Sequence, residues 1–167
     1  MMQPHELLAK AKDSAFYRWV LNLVLAKMIP FNAPHRVKIE EIKVDGVIIS
    51  LPYIQKNLNH LKGLHACALA ALSEYTCGLE LVRNFPATKY RLIMKELKMT
   101  YHYQGKMSAK ATFTVNNEVI AAIKSELEKS EAVFRTFQIE THDVKGNHLC
   151  TAEVMWQLKK WEKVTSE

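Results

Sequence analysis

The chain has 167 residues, of which 49% are hydrophobic and 24% charged; that suits one domain with a substantial core and excludes disordered and collagen-like classes. Its formal charge is +6. The basic residues are scattered rather than run together, so charge alone does not choose between a plain solvated surface and attraction for nucleic acid, acidic lipid or the phosphates of coenzyme A.

Residues 4–28 are expected to form one helix. Pro4 suits the first turn, Leu7, Leu8, Ala11, Ala15, Trp19, Leu23 and Ala26 recur at helical steps, and Pro30 and Pro34 stop it. Two strands follow, Val37 to Val44 and Val47 to Tyr53, joined at Asp45-Gly46, a strong hairpin signal. Gln55 to His60 is polar and turn-like, and Gly63 closes it. From His65 to about Val82 the pattern changes: Ala66-Cys67-Ala68-Leu69-Ala70-Ala71-Leu72 is an unbroken run of small apolar residues. Such a run favours helix, and a helix apolar on all sides is expected to be buried on all sides. After Pro86 the chain alternates again. Tyr90 to Met94 is one run, then Leu97, Met99, Tyr101 and Tyr103, then Ala111, Phe113 and Val115. Residues 117–129 read as a short helical excursion. Val133 to Ile139 and Cys150 to Leu158 are the last strands, with a turn at Gly146-Asn147.

The layout is helix, two strands, buried helix, then four or more antiparallel strands, an α+β pattern in which a curved sheet grips one helix. One domain is expected over residues 1–167, with residues 1–34 as a helical extension and 35–160 as the core. The three cysteines, Cys67, Cys77 and Cys150, are odd in number and lack metal-ligand spacing. They suggest small buried thiols in a reduced, cytoplasmic chain. His102, His142 and His148 fall on separate elements, so no metal is expected. The amino terminus has no secretory pattern, and no stretch approaches the ~20 apolar residues of a membrane span, so stable membrane insertion is not expected.

Glu74 is the informative residue. It is the only carboxylate between Asp45 and Glu80, and it interrupts the most apolar helix in the chain. An ionised carboxylate there is costly unless paired, hydrogen-bonded or beside water. Its pKa is expected to be raised, as functional carboxylates often are; a structural Glu satisfied by a Lys or Arg of a facing strand is the alternative. The first helical turn, after Gly63, offers backbone N–H groups without helical partners.

These residues resemble the signature of hot-dog-fold thioesterases of the phenylacetyl-CoA thioesterase type. That signature has an Asn, a Gly, a His-Gly-Gly at the head of the central helix and an acid nine positions after the His. Asn59, Gly63, His65 and Glu74 stand at the matching positions. The segment most resembles an uncharacterised thioesterase-like branch that shares the amino-terminal helix. The resemblance implies a hot-dog fold and hydrolysis of an acyl-CoA or acyl-carrier thioester, with coenzyme A only as part of the substrate and no cofactor. Glu74 would be general base or nucleophile, the Ala66 N–H, with that of Cys67, would polarise the carbonyl, and Asn59 would orient water or carbonyl. Gly63, His65, Cys67 and Ser73 would border the substrate. Lys62, Lys95, Lys98, Lys106 and Lys110 are candidates for the nucleotide phosphates, or ordinary solvated positions. The site would form across a homodimer, alone or within a dimer of dimers. Nucleic acid is not an expected partner; Tyr101 and Tyr103 suit core packing better than base stacking. The departure is at His65-Ala66-Cys67, where the family has His-Gly-Gly: two side chains stand where glycines admit the substrate. A non-catalytic acyl- or acyl-CoA-binding protein of the same fold is therefore the alternative function.

Overall fold

The computed structural model describes residues 4–164. The amino-terminal segment forms two helices, α1 (Pro4–Asp13) and α2 (Ala15–Met28), where the sequence suggests one. Ser14 makes the break. Its backbone is extended and its side chain accepts from the Tyr17 N–H at 3.4 Å, capping α2. Arg18 then donates to the Ala11 carbonyl at 3.1 Å, satisfying an orphan acceptor at the end of α1. Leu7, Leu8, Ala11 and Leu21 face the core, while Phe16, Trp19 and Leu23 stay exposed.

The remaining elements follow the expected order: β1 (Lys38–Ile42), β2 (Gly46–Leu51), α3 (Ala66–Asn84), β3 (Tyr90–Tyr101), β4 (Ala109–Thr114), α4 (Asn117–Lys129), β5 (Val133–Asp143) and β6 (His148–Lys160). The strands form one antiparallel sheet in the order β1-β2-β4-β5-β6-β3. The sheet curls round α3, which packs against β2, β3, β4, β5 and β6. This is the hot-dog architecture. Buried Leu69, Leu72, Cys77, Leu79 and Leu81 of the helix share one core with Ile49, Ala111, Ile139, Ala152 and Val154 of the sheet. α4 lies outside, capped by Asn116 at the Val119 N–H (2.8 Å), with Ile120, Ile123 and Leu127 buried.

Burial round α3 is not complete. Cys67, Ala70, Ala71, Glu74, Gly78 and Val82 form a stripe at helical spacing that is exposed or half-buried. The stripe exists because β3 is an edge strand whose inner side chains the helix only partly covers. Met94 remains 40% and Tyr101 46% exposed.

The carboxyl-terminal turn of α3 carries a closed ion pair. Glu80 is fully buried and receives Arg83 at 2.6 Å and the Asn84 amide at 2.9 Å. Burial pushes the Glu80 carboxyl up, and Arg83 and Asn84 oppose that shift. The same guanidinium donates to the carbonyls of Lys43 (2.7 Å) and Val44 (3.1 Å), tying the β1–β2 turn to the helix. Removing the cation leaves a buried charge alone, which typically costs ~3–5 kcal/mol. Arg83→Ala should therefore lower the unfolding free energy extrapolated from urea melts by that amount, and the double substitution Glu80→Leu with Arg83→Met should recover most of it.

Candidate active site

The tip of α3 is built by the loop before it. The Asn59 side-chain oxygen accepts from the N–H groups of Leu61 (2.9 Å) and Gly63 (3.0 Å), closing a turn in which Lys62 has φ 57°. Leu64 N–H bonds to the Gly105 carbonyl at 2.7 Å, fastening this loop to the one after β3. Gly63 sits so close to Gln104 that a Cβ would fall 2.8 Å from its Cγ. Asn59 thus has a structural duty beside the helix tip.

His65 is the N-cap of α3, and its ring nitrogen Nδ1 accepts from the Cys67 N–H at 3.1 Å. Its carbonyl takes the N–H groups of Ala68 (3.0 Å) and Leu69 (3.1 Å). In the first turn only the Ala66 N–H lacks a partner among the described residues. The expected pair of donors is therefore reduced to one, because the side chain preceding the helix has taken the other. A cleft of about 340 Å³ opens beside this tip, lined by Asn59, Leu64, Ala66, Leu69, Tyr101 and Tyr103. Tyr101 donates its hydroxyl to the Ala66 carbonyl at 2.9 Å, so β3 grips the helix at this point. Tyr101 and Tyr103 border the cleft as exposed rings rather than packing in the core.

Glu74 lies eight residues further along α3, about 12 Å down the axis at 1.5 Å per residue. It is half-buried, and among the described residues it has no hydrogen bond or ion pair. Desolvation pushes its carboxyl above the ordinary range. Its charge adds to the burial that raises the Tyr75 hydroxyl and the Cys77 thiol. Gly78, one turn on, leaves the carboxylate room: a Cβ there would fall 3.7 Å from Glu74 Oε1 and 3.2 Å from the Trp156 ring. Sequence reasoning missed Gly78 and Trp156, because one looks like a weak helix residue and the other like core.

The other expected site residues divide. Ala66 and Asn59 meet at the cleft. Cys67 is exposed on the open stripe, unlike the buried Cys77 and Cys150, and all three thiols are free. Ser73 is fully buried, donates to the Leu69 carbonyl (3.0 Å) and meets the Thr141 hydroxyl (3.2 Å), so it joins helix to sheet rather than bordering a ligand. Lys98 is paired with Glu153 at 2.7 Å. Within one chain, then, the acid and the helix tip stand apart on α3. Among the described residues no helix is long and apolar enough to cross a membrane.

A family model described as Domain of unknown function (DUF4442) matches residues 17–158. A Pseudomonas aeruginosa protein of unknown function, described as a probable thioesterase, superposes with TM-score 0.78 at 19% identity, covering 83% of this chain and 93% of its own. A Chlorobaculum tepidum protein of unknown function does so with TM-score 0.75 at 13% identity, covering 94% and 96%. A mutant thioesterase enzyme from Staphylococcus aureus does so with TM-score 0.63 at 17% identity, covering 78% and 98%. No curated protein matches the chain.

The Glu74 environment has a consequence for stability. A carboxyl whose pKa is raised on folding binds its proton more tightly in the native than in the unfolded state, so stability falls as pH rises through the window between the two values. The penalty is complete only above the raised native-state value, and it disappears below the unfolded one, where both states are protonated. Glu74→Gln is expected to raise Tm at pH 7, by ~2–4 °C per kcal/mol recovered, with the gain vanishing at pH 4. Thermal melts at the two pH values measure it.

Proposed function

The chain belongs to the DUF4442 family, and from that premise we propose that it hydrolyses an acyl-CoA or acyl-carrier thioester. The single observation that carries the reading is the half-buried Glu74 carboxylate, unpartnered on a central helix whose closed neighbour Glu80 shows how the same helix satisfies a structural acid. The thioesterase names of proteins sharing the fold support it.

Glu74 and the Ala66 N–H are ~12 Å apart along one helix, too far to act on one thioester carbonyl. A second copy is the natural source of the missing half. β3 is a 12-residue strand with a free edge, and such an edge is a template for pairing with another chain. Pairing β3 with its counterpart would also cover the apolar stripe of α3 and the exposed Ile93 and Met94. In the resulting homodimer, Glu74 of one chain faces the helix tip of the other. As general base, Glu74 takes a proton from water while the water oxygen attacks the thioester carbon. The Ala66 N–H holds the oxyanion, the C–S bond breaks, and the protonated Glu74 returns its proton to the departing thiolate. As nucleophile, Glu74 would form an anhydride that water then opens. The products are the carboxylic acid and the free thiol in both cases.

One observation favours a second reading. With the Cys67 N–H committed to His65 and a methyl and a thiol where glycines would admit the substrate, the tip has a single free donor. An acyl- or acyl-CoA-binding module without turnover fits that arrangement.

A panel of acyl-CoAs tests both. Hydrolysis by the wild-type chain is expected, with Glu74→Gln lowering kcat by at least ~10²-fold. The kcat/KM of the wild type is expected to fall on the acid side with a midpoint above the ordinary carboxylate value, because the ionised form is needed and burial has raised its pKa. Binding without turnover selects the second reading, and full activity of Glu74→Gln refutes the site. Light scattering is expected to show a dimer, and Met94→Lys is expected to give a folded monomer that has lost hydrolysis.

A further inference from the structure

Three histidines from separate segments of the chain stand together on the outer face of the sheet. His142 of β5 pairs with His148 of β6, and the His102 N–H bonds to the Leu149 carbonyl just beyond β3. The His142 and His148 rings are stacked with centroids 4.7 Å apart, and those of His102 and His148 lie 4.4 Å apart. Glu140 adds a carboxylate two residues before His142, its Oε2 lying 4.0 Å from His142 Nε2. One donor atom each from Glu140, His142 and His148 falls within 4.8 Å of the others.

A bulge makes this cluster. Cys150, Ala152, Val154, Trp156 and Leu158 point inward along β6, and unbroken alternation would send His148 inward with them. The pairing slips between Thr141 and His142, so that Thr141 meets Cys150 while His142 meets His148, and Leu149 is the extra residue. That slip turns His148 to the solvent face beside His142. Bulges commonly re-aim side chains at functional positions. The face is fixed by Thr141, which points inward to Ser73 of α3 and so sends Glu140 and His142 outward.

We propose that Glu140, His142 and His148 form a site for a borderline transition-metal ion of the Zn²⁺, Ni²⁺ or Cu²⁺ class, with His102 as a fourth ligand. Imidazoles with one carboxylate suit these ions and not Mg²⁺ or Ca²⁺, which want oxygen donors. Zn–N and Zn–O bonds of ~2.0–2.2 Å require donor atoms somewhat nearer than they stand, which side-chain rotation supplies on an open face. The Thr151 hydroxyl lies 3.1 Å from His148 Nε2 and 3.0 Å from His102 Nε2, bridging these two rings. Lys110, opposite His142 on β4, is the nearest-paired cation and leaves the carboxylate of Glu140 as the compensating charge. His102 also lines the cleft at the tip of α3, so the bound ion would join three strands beside that cleft. The site is independent of the thioester reading, since none of its ligands takes part in that chemistry.

Equilibrium dialysis of the purified chain against Zn²⁺ tests it. One ion per chain is expected, with a rise in Tm on binding. Replacing His142 and His148 together by Gln is expected to weaken Zn²⁺ binding beyond the ~10–100-fold typical of residues that only support a ligand, with the circular dichroism spectrum unchanged. Cys67→Ser removes the exposed thiol and is expected to keep full binding. Co²⁺ is expected to give visible d–d absorption in the wild type that the double variant lacks. Absence of stoichiometric Zn²⁺ binding, unchanged binding in the double variant, or loss of binding in Cys67→Ser would each overturn the proposal.

Discussion

A helix made of small apolar side chains can be surrounded by strands on nearly every side, and α3 is surrounded on all but one. That single opening organises the rest of the molecule. Five strands pack against the helix, and the sixth, β1, extends the sheet beyond it. Because β3 is at the edge, the helix face beneath it is only half covered, and its apolar stripe stays open. Glu74 stands on that stripe. A carboxylate anywhere else on α3 would need the kind of enclosure that Glu80 has.

The two glutamates differ by six positions and by everything around them. Glu80 meets Arg83 and Asn84 near the helix end, where the side chains of the last turn double back to reach it. Glu74 is too far up the helix for those partners and stands beside Gly78, where no side chain fills the space. Desolvation without compensation costs stability and pushes the carboxyl above the ordinary range. Under the proposed hydrolysis, stability and function pull in opposite directions at this residue.

The tip of α3 shows a smaller economy of donors. An N-cap normally satisfies one of the orphan N–H groups of the first turn, and here His65 does so through a ring nitrogen. This leaves the Ala66 N–H as the donor facing the cleft, with Tyr101 clamping the carbonyl of the same residue. The loop that delivers the helix is held by Asn59 and by the contact with Gly105. Position and rigidity are thus supplied by residues that themselves line the cleft: Asn59 and Gly105 hold the loop, and Tyr101 holds the first turn.

Element type and order were legible from periodicity alone. Alternation located two strands before α3 and four or more after it, and the alanine run located α3; the separate runs Tyr90–Met94 and Leu97–Tyr103 are one strand, β3, with a slip between Met94 and Glu96. The isolation of Glu74 among apolar residues marked it before any coordinates did. Local patterns carry such information because side-chain direction repeats every two or 3.6 residues. They failed where one residue breaks the repeat: Ser14 divides the first helix, and the slip at Leu149 turns His148 outward to join His142 and His102. They also could not say that Ser73 faces the sheet, that His65 occupies the Cys67 N–H, or that Glu80 rather than Glu74 holds the cation. Those outcomes depend on distances between residues remote in sequence, so the sequence determined which surfaces are apolar and which acids are costly, while tertiary packing decided which of them found a partner.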